Sequence, residues 1–325
     1  MATYKEIRGT NIEVLSSDPS NPVEGQVWYN STSNVLKGLI ITAAGAWSTA
    51  NALNTARYAG GGAGITTAGL FATGTVSGTD VANVESFNGT NWTEVNDVND
   101  ARNGLENQGV GTQSAAMIFS GYDDAGNAVV NCETWNGTNW TEVNNVNTGG
   151  GYGGGAGTST AAVFAGGFPG RNAVTENWNG TNWTEVNDLN TGRYNCASSN
   201  SAPSTSMILF GGGPPNTGAT EQWNGTNWTE VNDMNTARNA LSGAGVYASA
   251  LGFGGNPAGS VVGLTEEWNG TNWTEVADMS VASVYRGALG LASSALAIGQ
   301  GAGPHNGVEL WTGAGAVQTR TFTDS

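Results

Sequence analysis

The sequence predicts an all-β fold, a β-propeller of seven four-stranded antiparallel blades, with six blades plus an N-terminal hairpin as the alternative count. Three observations carry this. The string Asn-Gly-Thr-Asn-Trp-Thr-Glu-Val occurs five times, beginning at Asn88, Asn136, Asn179, Asn224 and Asn269, which sets its tryptophans 43 to 48 residues apart. A unit of that length cannot bury its apolar face alone, so copies must pack on one another. Each unit breaks into short small-residue or apolar runs punctuated by Gly and Asn, the pattern of strands and turns. Finally, only 11% of residues are charged, against about a quarter in ordinary globular chains, and 38 Asn and 51 Gly stand in their place. No window shows a helical period with caps.

The elements follow in chain order. Residues 1–24 carry no repeat, and Ser17-Asp-Pro-Ser-Asn-Pro-Val-Glu-Gly25 reads as a stiff, turn-rich linker, so this segment is expected to be an attachment arm. The propeller is expected over 25–325. Within it, 25–50 is a partial blade supplying Val-Trp-Tyr-Asn, Val-Leu-Lys-Gly-Leu and Ala-Trp-Ser-Thr, and six repeats of about 45 residues follow from Arg57. Trp47 lies 45 residues before Trp92, and Val317 lies 44 after Trp273, so the tryptophan slot recurs seven times with degenerate copies at both ends. A ring joins its first and last blades, which places the N-terminal strands beside the C-terminal unit.

Inside a repeat, Leu241–Tyr247 and Ser249–Phe253 read as the first two strands, and Leu264–Trp268 and Trp273–Val276 as the outer pair. The intervening Asn269-Gly270-Thr271-Asn272 is a hairpin loop whose Asn and Gly tolerate positive φ. The structural tryptophans are Trp47, Trp92, Trp140, Trp183, Trp228 and Trp273. A Glu precedes the third-strand aromatic by two in every unit: Glu85, Glu133, Glu176, Glu221, Glu266 and Glu309. An Arg occupies the linker in four, at Arg57, Arg102, Arg193 and Arg238, with Gly150 and Ser283 in the same register. A ring holds equivalent carboxylates too far apart for acid–base work, which needs them within about 10 Å. Each Glu is therefore expected to pair with a neighbouring blade's Arg or with backbone N–H groups.

The second-to-third strand loops differ in every unit, and variable loops on a rigid scaffold are where recognition is built. Tyr122, Asp123, Phe168, Arg171, Asn216 and His305 are the candidate ligand contacts, by aromatic stacking and polar hydrogen bonding on sugars. No catalytic residue, cofactor or metal site is expected. His305 is the only histidine, Asp123-Asp124-Ala-Gly-Asn127 lacks calcium-loop spacing, and Cys132 and Cys196 fall in non-adjacent units. A net charge of −16 disfavours nucleic acid, no stretch approaches a membrane span, and Met1-Ala-Thr-Tyr-Lys-Glu6 opens no signal peptide.

The doublets Gly166-Gly167, Gly211-Gly212 and Gly254-Gly255, with the pairs Trp178/Trp183, Trp223/Trp228 and Trp268/Trp273, resemble the kelch family over residues 25–320. The chain departs from it where Trp fills the family's tyrosine slot and where Ser120-Gly121 replaces a doublet. The copper-using kelch enzymes need Tyr, Cys and several His ligands, which one histidine does not supply. Gly25-Gln-Val-Trp-Tyr-Asn-Ser-Thr-Ser-Asn-Val-Leu-Lys-Gly38 resembles a hairpin module of bacteriophage tail-fibre and appendage proteins. Together these imply a non-enzymatic virion protein, made in the host cytoplasm and attached to other virion proteins through its arm, with host-surface polysaccharide as ligand and self-association left open. A kelch-type protein–protein interaction module is the alternative. An enzyme of galactose-oxidase or sialidase type ranks third.

Overall fold

The computed structural model describes residues 12–19, 26–41, 44–300, 305–315 and 317–322, and among them there is no helix. The chain divides into two compact units, Met1–Gly45 with Gly313–Ser325, and Ala46–Thr312.

In the first unit, Glu13–Leu15 pairs in parallel with Val27–Asn30, which forms a hairpin with Val35–Ile41, and Val317–Phe322 closes the sheet. Trp28 is fully buried and donates Nε1–H to Asp18 at 3.0 Å. Asp18 also accepts from Lys37 and Asn30, and those bonds hold its carboxyl down at about 2. The expected arm thus contributes a strand where it is described; residues 1–11 and 20–24 lie outside the described set.

The second unit is a propeller. Its innermost strands are Gly61–Ile65, Gly109–Thr112, Gly154–Thr158, Ala197–Ser198, Ser242–Val246 and Gly287–Leu291, and they number blades 1 to 6. Each lies against the next, and Gly287–Leu291 lies against Gly61–Ile65, so six blades close the ring. Every blade is four-stranded and antiparallel, and the strands of blade 5 fall within a residue of their expected positions.

The ring therefore holds six blades, not seven, and the N-terminal hairpin belongs to the first unit's sheet, in line with the alternative count. Val317, counted as a seventh slot, belongs to the first unit's sheet, because Val35–Ile41 takes its strand as an edge partner. Only Ala46–Ala50 joins the propeller, as the fourth strand of blade 6 beside His305–Thr312, with Trp47 opposite Trp311. The unit boundary accordingly falls at Ala46 rather than at residue 25.

There is no single core. Six apolar clusters fill the six gaps between adjacent blades; Leu70, Val84, Ala116, Ile118 and Trp140 fill the gap between blades 1 and 2. An aromatic pair sits in each gap, two tryptophans in five of them, as with Trp135 and Trp140 5.4 Å apart and Trp178 and Trp183 5.6 Å apart, and Phe87 with Trp92 between blades 6 and 1. A threonine ladder links blades as well: Trp228, Trp273 and Trp47 donate Nε1–H to Thr175, Thr220 and Thr265 of the preceding blade at 2.9–3.0 Å.

The near-identical turns have the same explanation. Asn88 Oδ1 accepts from the N–H groups of Thr90 and Asn91, folding its own loop. The Asn that follows each fourth strand then reaches to the next blade's turn: Asn51 to Thr90 and Asn91, Asn96 to Thr138 and Asn139, and so on through Asn232. The series stops at Ala277, where blade 6 has no such turn. There Thr312 and Ala46 stand opposite each other, and both connections to the first unit leave.

Candidate functional site

The six repeated glutamates are structural. Arg57 meets Glu85 at 2.5 Å, Arg102 meets Glu133 at 2.8 Å, Arg193 meets Glu221 at 3.0 Å and Arg238 meets Glu266 at 2.6 Å, all buried. Each pair lies within one repeat, which corrects the expectation of a neighbouring blade's Arg, because the linker Arg folds back over its own second and third strands. The same carboxylates accept the linker N–H groups, as Glu85 does from Asn54 and Thr55. In blade 6, Arg286 at 3.1 Å from Glu309 replaces the missing Arg of position 283, three residues displaced. Glu176 has no Arg and is held by the Asn147 N–H and side-chain amide and by the Thr148 N–H.

The linkers pair with the second-to-third loops, as in the bridges Asn103 to Tyr122, Gly151 to Phe168, Tyr194 to Gly213 and Asn239 to Asn256. These segments share one face of the ring. On it the residue just ahead of each first strand adopts positive φ: Ala59, Gly104, Tyr152, Asn195, Ala240 and Tyr285, from 53° to 76°. For non-glycine residues this left-handed backbone is costly, and its recurrence around the axis marks a constrained ring. Hydrogen bonds run from blade to blade along it: Tyr285 N–H to Ala240, Ala59 N–H to Tyr285 and Tyr152 N–H to Gly104.

Five of the eight tyrosines converge here, Tyr58, Tyr122, Tyr152, Tyr194 and Tyr285. The Tyr122 and Tyr152 rings are 5.4 Å apart, Tyr152 and Tyr285 5.7 Å, and Phe168 and Tyr194 5.0 Å. Burial pushes the Tyr122 hydroxyl up to about 12 and raises those of Tyr152 and Tyr285, so all three stay protonated donors. Beneath them the chain crosses the axis. Asn107 of blade 2 donates Nδ2–H to Cys196 O at 3.3 Å and accepts Gly243 N–H at 3.1 Å, joining blades 4 and 5. Asn200 of blade 4 donates to Ala288 O of blade 6 at 2.8 Å. On the far side of these crossings, a cavity of about 390 Å³ opens among Gly64, Ile65, Gly111, Gly157, Ser201 and Leu291.

The six loop candidates separate. Phe168, 39% exposed and packed on Tyr194 and Tyr122, and the exposed Arg171 lie at the surface. Arg171 is the only exposed Lys or Arg among the described residues of 46–312, since the other five are locked in ion pairs. Tyr122 is buried, and its hydroxyl donates to Phe168 O at 2.6 Å, so it supports the loop rather than presenting to solvent. Asp123 caps its own turn through Asn127, which lowers its carboxyl. Asn216 bridges to Asn256 and Pro257 of the next blade, both at 2.7 Å. His305 opens a strand, and its side chain lies outside the described set. Both cysteines are free and buried.

Sequence reasoning missed the axial group. Its signals were the tyrosines of the linkers and the Arg102–Gly109 linker, three residues longer than Arg57–Gly61 and carrying Leu105-Glu106-Asn107-Gln108. No family model matches the chain, and no curated protein matches it. Among solved structures, that of YjhT superposes with a TM-score of 0.65 at 12% identity, covering 83% of this chain and 99% of that one. The likeness supports the propeller fold.

Proposed function

We propose that the chain is a non-enzymatic recognition propeller of a bacteriophage virion appendage, contacting host-surface glycan through the linker face. The observation that carries this is the division of labour between the two faces. The Asn-Gly-Thr-Asn turns are spent on inter-blade clasps. The linker face gathers five tyrosines with the exposed Phe168 and Arg171. Aromatic faces flanked by amides and one cation suit sugar stacking and hydrogen bonding. The Val27–Asn30 and Val35–Ile41 hairpin, which resembles an appendage module, supports the virion assignment.

The test is mass spectrometry of purified virions together with binding of the purified chain to host polysaccharide. Phe168→Ala and Arg171→Ala together should weaken binding at least tenfold with the circular dichroism spectrum unchanged, the melting temperature falling only slightly through the lost Phe168–Tyr194 contact. Absence from virions, or binding unchanged by the pair, refutes the reading, as does turnover of galactose or a sialoside. Val261 in the second-to-third loop of blade 5 and Val281 in the linker that follows, each 40% exposed, favour a protein partner as the second reading.

A further inference from the structure

Glu106, in the linker before blade 2, is a buried carboxylate that meets no Arg or Lys among the described residues. It is 3% exposed, and its Oε1 has no hydrogen-bond partner among the described residues. Buried acceptors are almost always satisfied, so an exception needs a reason. Every other buried Glu meets an Arg or linker N–H groups; Glu106 meets only its own N–H. Its neighbours are aromatic. The Tyr152 ring stands 3.4 Å from where a Cβ on Gly104 would lie, two residues before Glu106. Burial raises the Tyr152 and Tyr285 hydroxyls, and the Glu106 charge and Tyr58 add to the rise at both. The Tyr152 and Tyr285 rings are 5.7 Å apart with 55° between their planes, so their faces meet at an angle rather than stacking flat.

We propose that Tyr58, Tyr152 and Tyr285, with the Glu106 carboxyl at their base, bind an organic ammonium group, the quaternary ammonium of choline or the amine of an amino sugar. The proposal deepens the recognition reading by naming the ligand's chemistry. Ring faces attract a desolvated cation through their quadrupoles, and the carboxylate supplies the counter-charge. Tyr122 and Tyr194 close the circle of titratable groups. No competing cation is at hand: five arginines of the ring are pinned, and Arg171 sits in an outer loop. The chain's net charge of −16 further concentrates cations at its surface. Burial holds the free carboxyl up at about 8, so a bound cation drives its ionisation and binding strengthens as pH rises toward that value.

The full chain is titrated calorimetrically, and by ligand-observed NMR, with choline chloride and glucosamine hydrochloride, with N-acetylglucosamine as the uncharged control. The expected result is saturable binding of an ammonium probe, at least tenfold weaker in Glu106→Gln at unchanged circular dichroism, and no displacement by N-acetylglucosamine. Tyr285→Leu keeps the carboxyl and removes a ring face; it should weaken binding at least threefold, and it serves if the first variant fails to fold. Failure of both probes to bind wild type at tens of millimolar overturns the proposal. So does binding by Glu106→Gln equal to wild type, or equal competition by the neutral sugar. Polysaccharide binding lost in the Phe168/Arg171 variant but untouched by Glu106→Gln would leave the recognition face standing and remove the ammonium site. Choline binding without polysaccharide binding would do the reverse.

Discussion

Val84→Thr should stabilise the propeller. Val84 is fully buried in blade 1 at the register that Thr175, Thr220 and Thr265 occupy in blades 3, 4 and 5. Those hydroxyls accept an indole N–H from the next blade at 2.9–3.0 Å. The indole that faces Val84 is Trp140, whose Nε1 is buried without a partner among the described residues. A threonine there gains both of its bonds. It accepts from Trp140, and it donates to Ala82 O as Thr220 donates to Gly218 O at 3.3 Å. Valine and threonine have the same shape, so no overpacking follows. An orphan buried donor costs about 1–3 kcal/mol, and a made bond nets about 1 kcal/mol. Against this stands the loss of one buried methyl, about 1 kcal/mol. The net is a gain of about 1 kcal/mol, which raises the melting temperature by roughly 2–4 °C for a unit of this size. Scanning calorimetry of a double-mutant cycle with Trp140→Phe isolates the bond. With no indole N–H to accept, Val84→Thr should destabilise by about 1 kcal/mol, a coupling of about 2 kcal/mol. If Val84→Thr lowers stability equally in both backgrounds, the ladder is no stabilising device.

Two further expectations concern closure and pH. Removing residues 1–44 leaves Ala46–Ala50 in blade 6 and should keep the ring folded, whereas removing residues 1–50 deletes its fourth strand and exposes Trp311. Equal melting temperatures for the two truncations, measured by circular dichroism, would contradict closure by that strand. The Glu106 carboxyl lies above its ordinary 4.5, at about 8, so the folded chain binds the extra proton and stability falls as pH rises from 4.5 to about 8. By linkage that loss is on the order of 4–5 kcal/mol, and Glu106→Gln should remove it. Denaturant midpoints with the same pH slope in both proteins would show that Glu106 is not the group responsible.

Part of the site was readable in the sequence, and part was not. Phe168 and Arg171 were visible because variable loops between regular repeats stand out from the pattern, and both are at the surface. Tyr122 and Asn216 stood out by the same logic, yet they are spent on internal bonds, which residue type does not reveal. Arg286 escaped notice because a side chain as long as arginine reaches Glu309 from three positions away, so the ion pair survives while its register does not. Glu106 was overlooked because a carboxylate in a linker reads as solvated until the ring closes over it.

The sequence alone determined the strands, their turns and the rim. Each of these is a local requirement: short apolar or small-residue runs, positive φ met by Asn and Gly, and an Asn four residues after Trp47, Trp92, Trp140, Trp183 and Trp228 to clasp the next turn. Such signals act within one repeat or between neighbours, so they recur in the letters. The tertiary structure decided the rest. Whether Ala46–Ala50 pairs with His305–Thr312, and whether Val317–Phe322 pairs with Val35–Ile41 instead of completing a blade, are contacts between opposite ends of the chain. Spacing counts slots, but it does not say which sheet has an open edge. The axis is the same kind of outcome. Asn107 meets Gly243 from 136 residues away, and the tyrosines of different linkers meet only once the ring has closed.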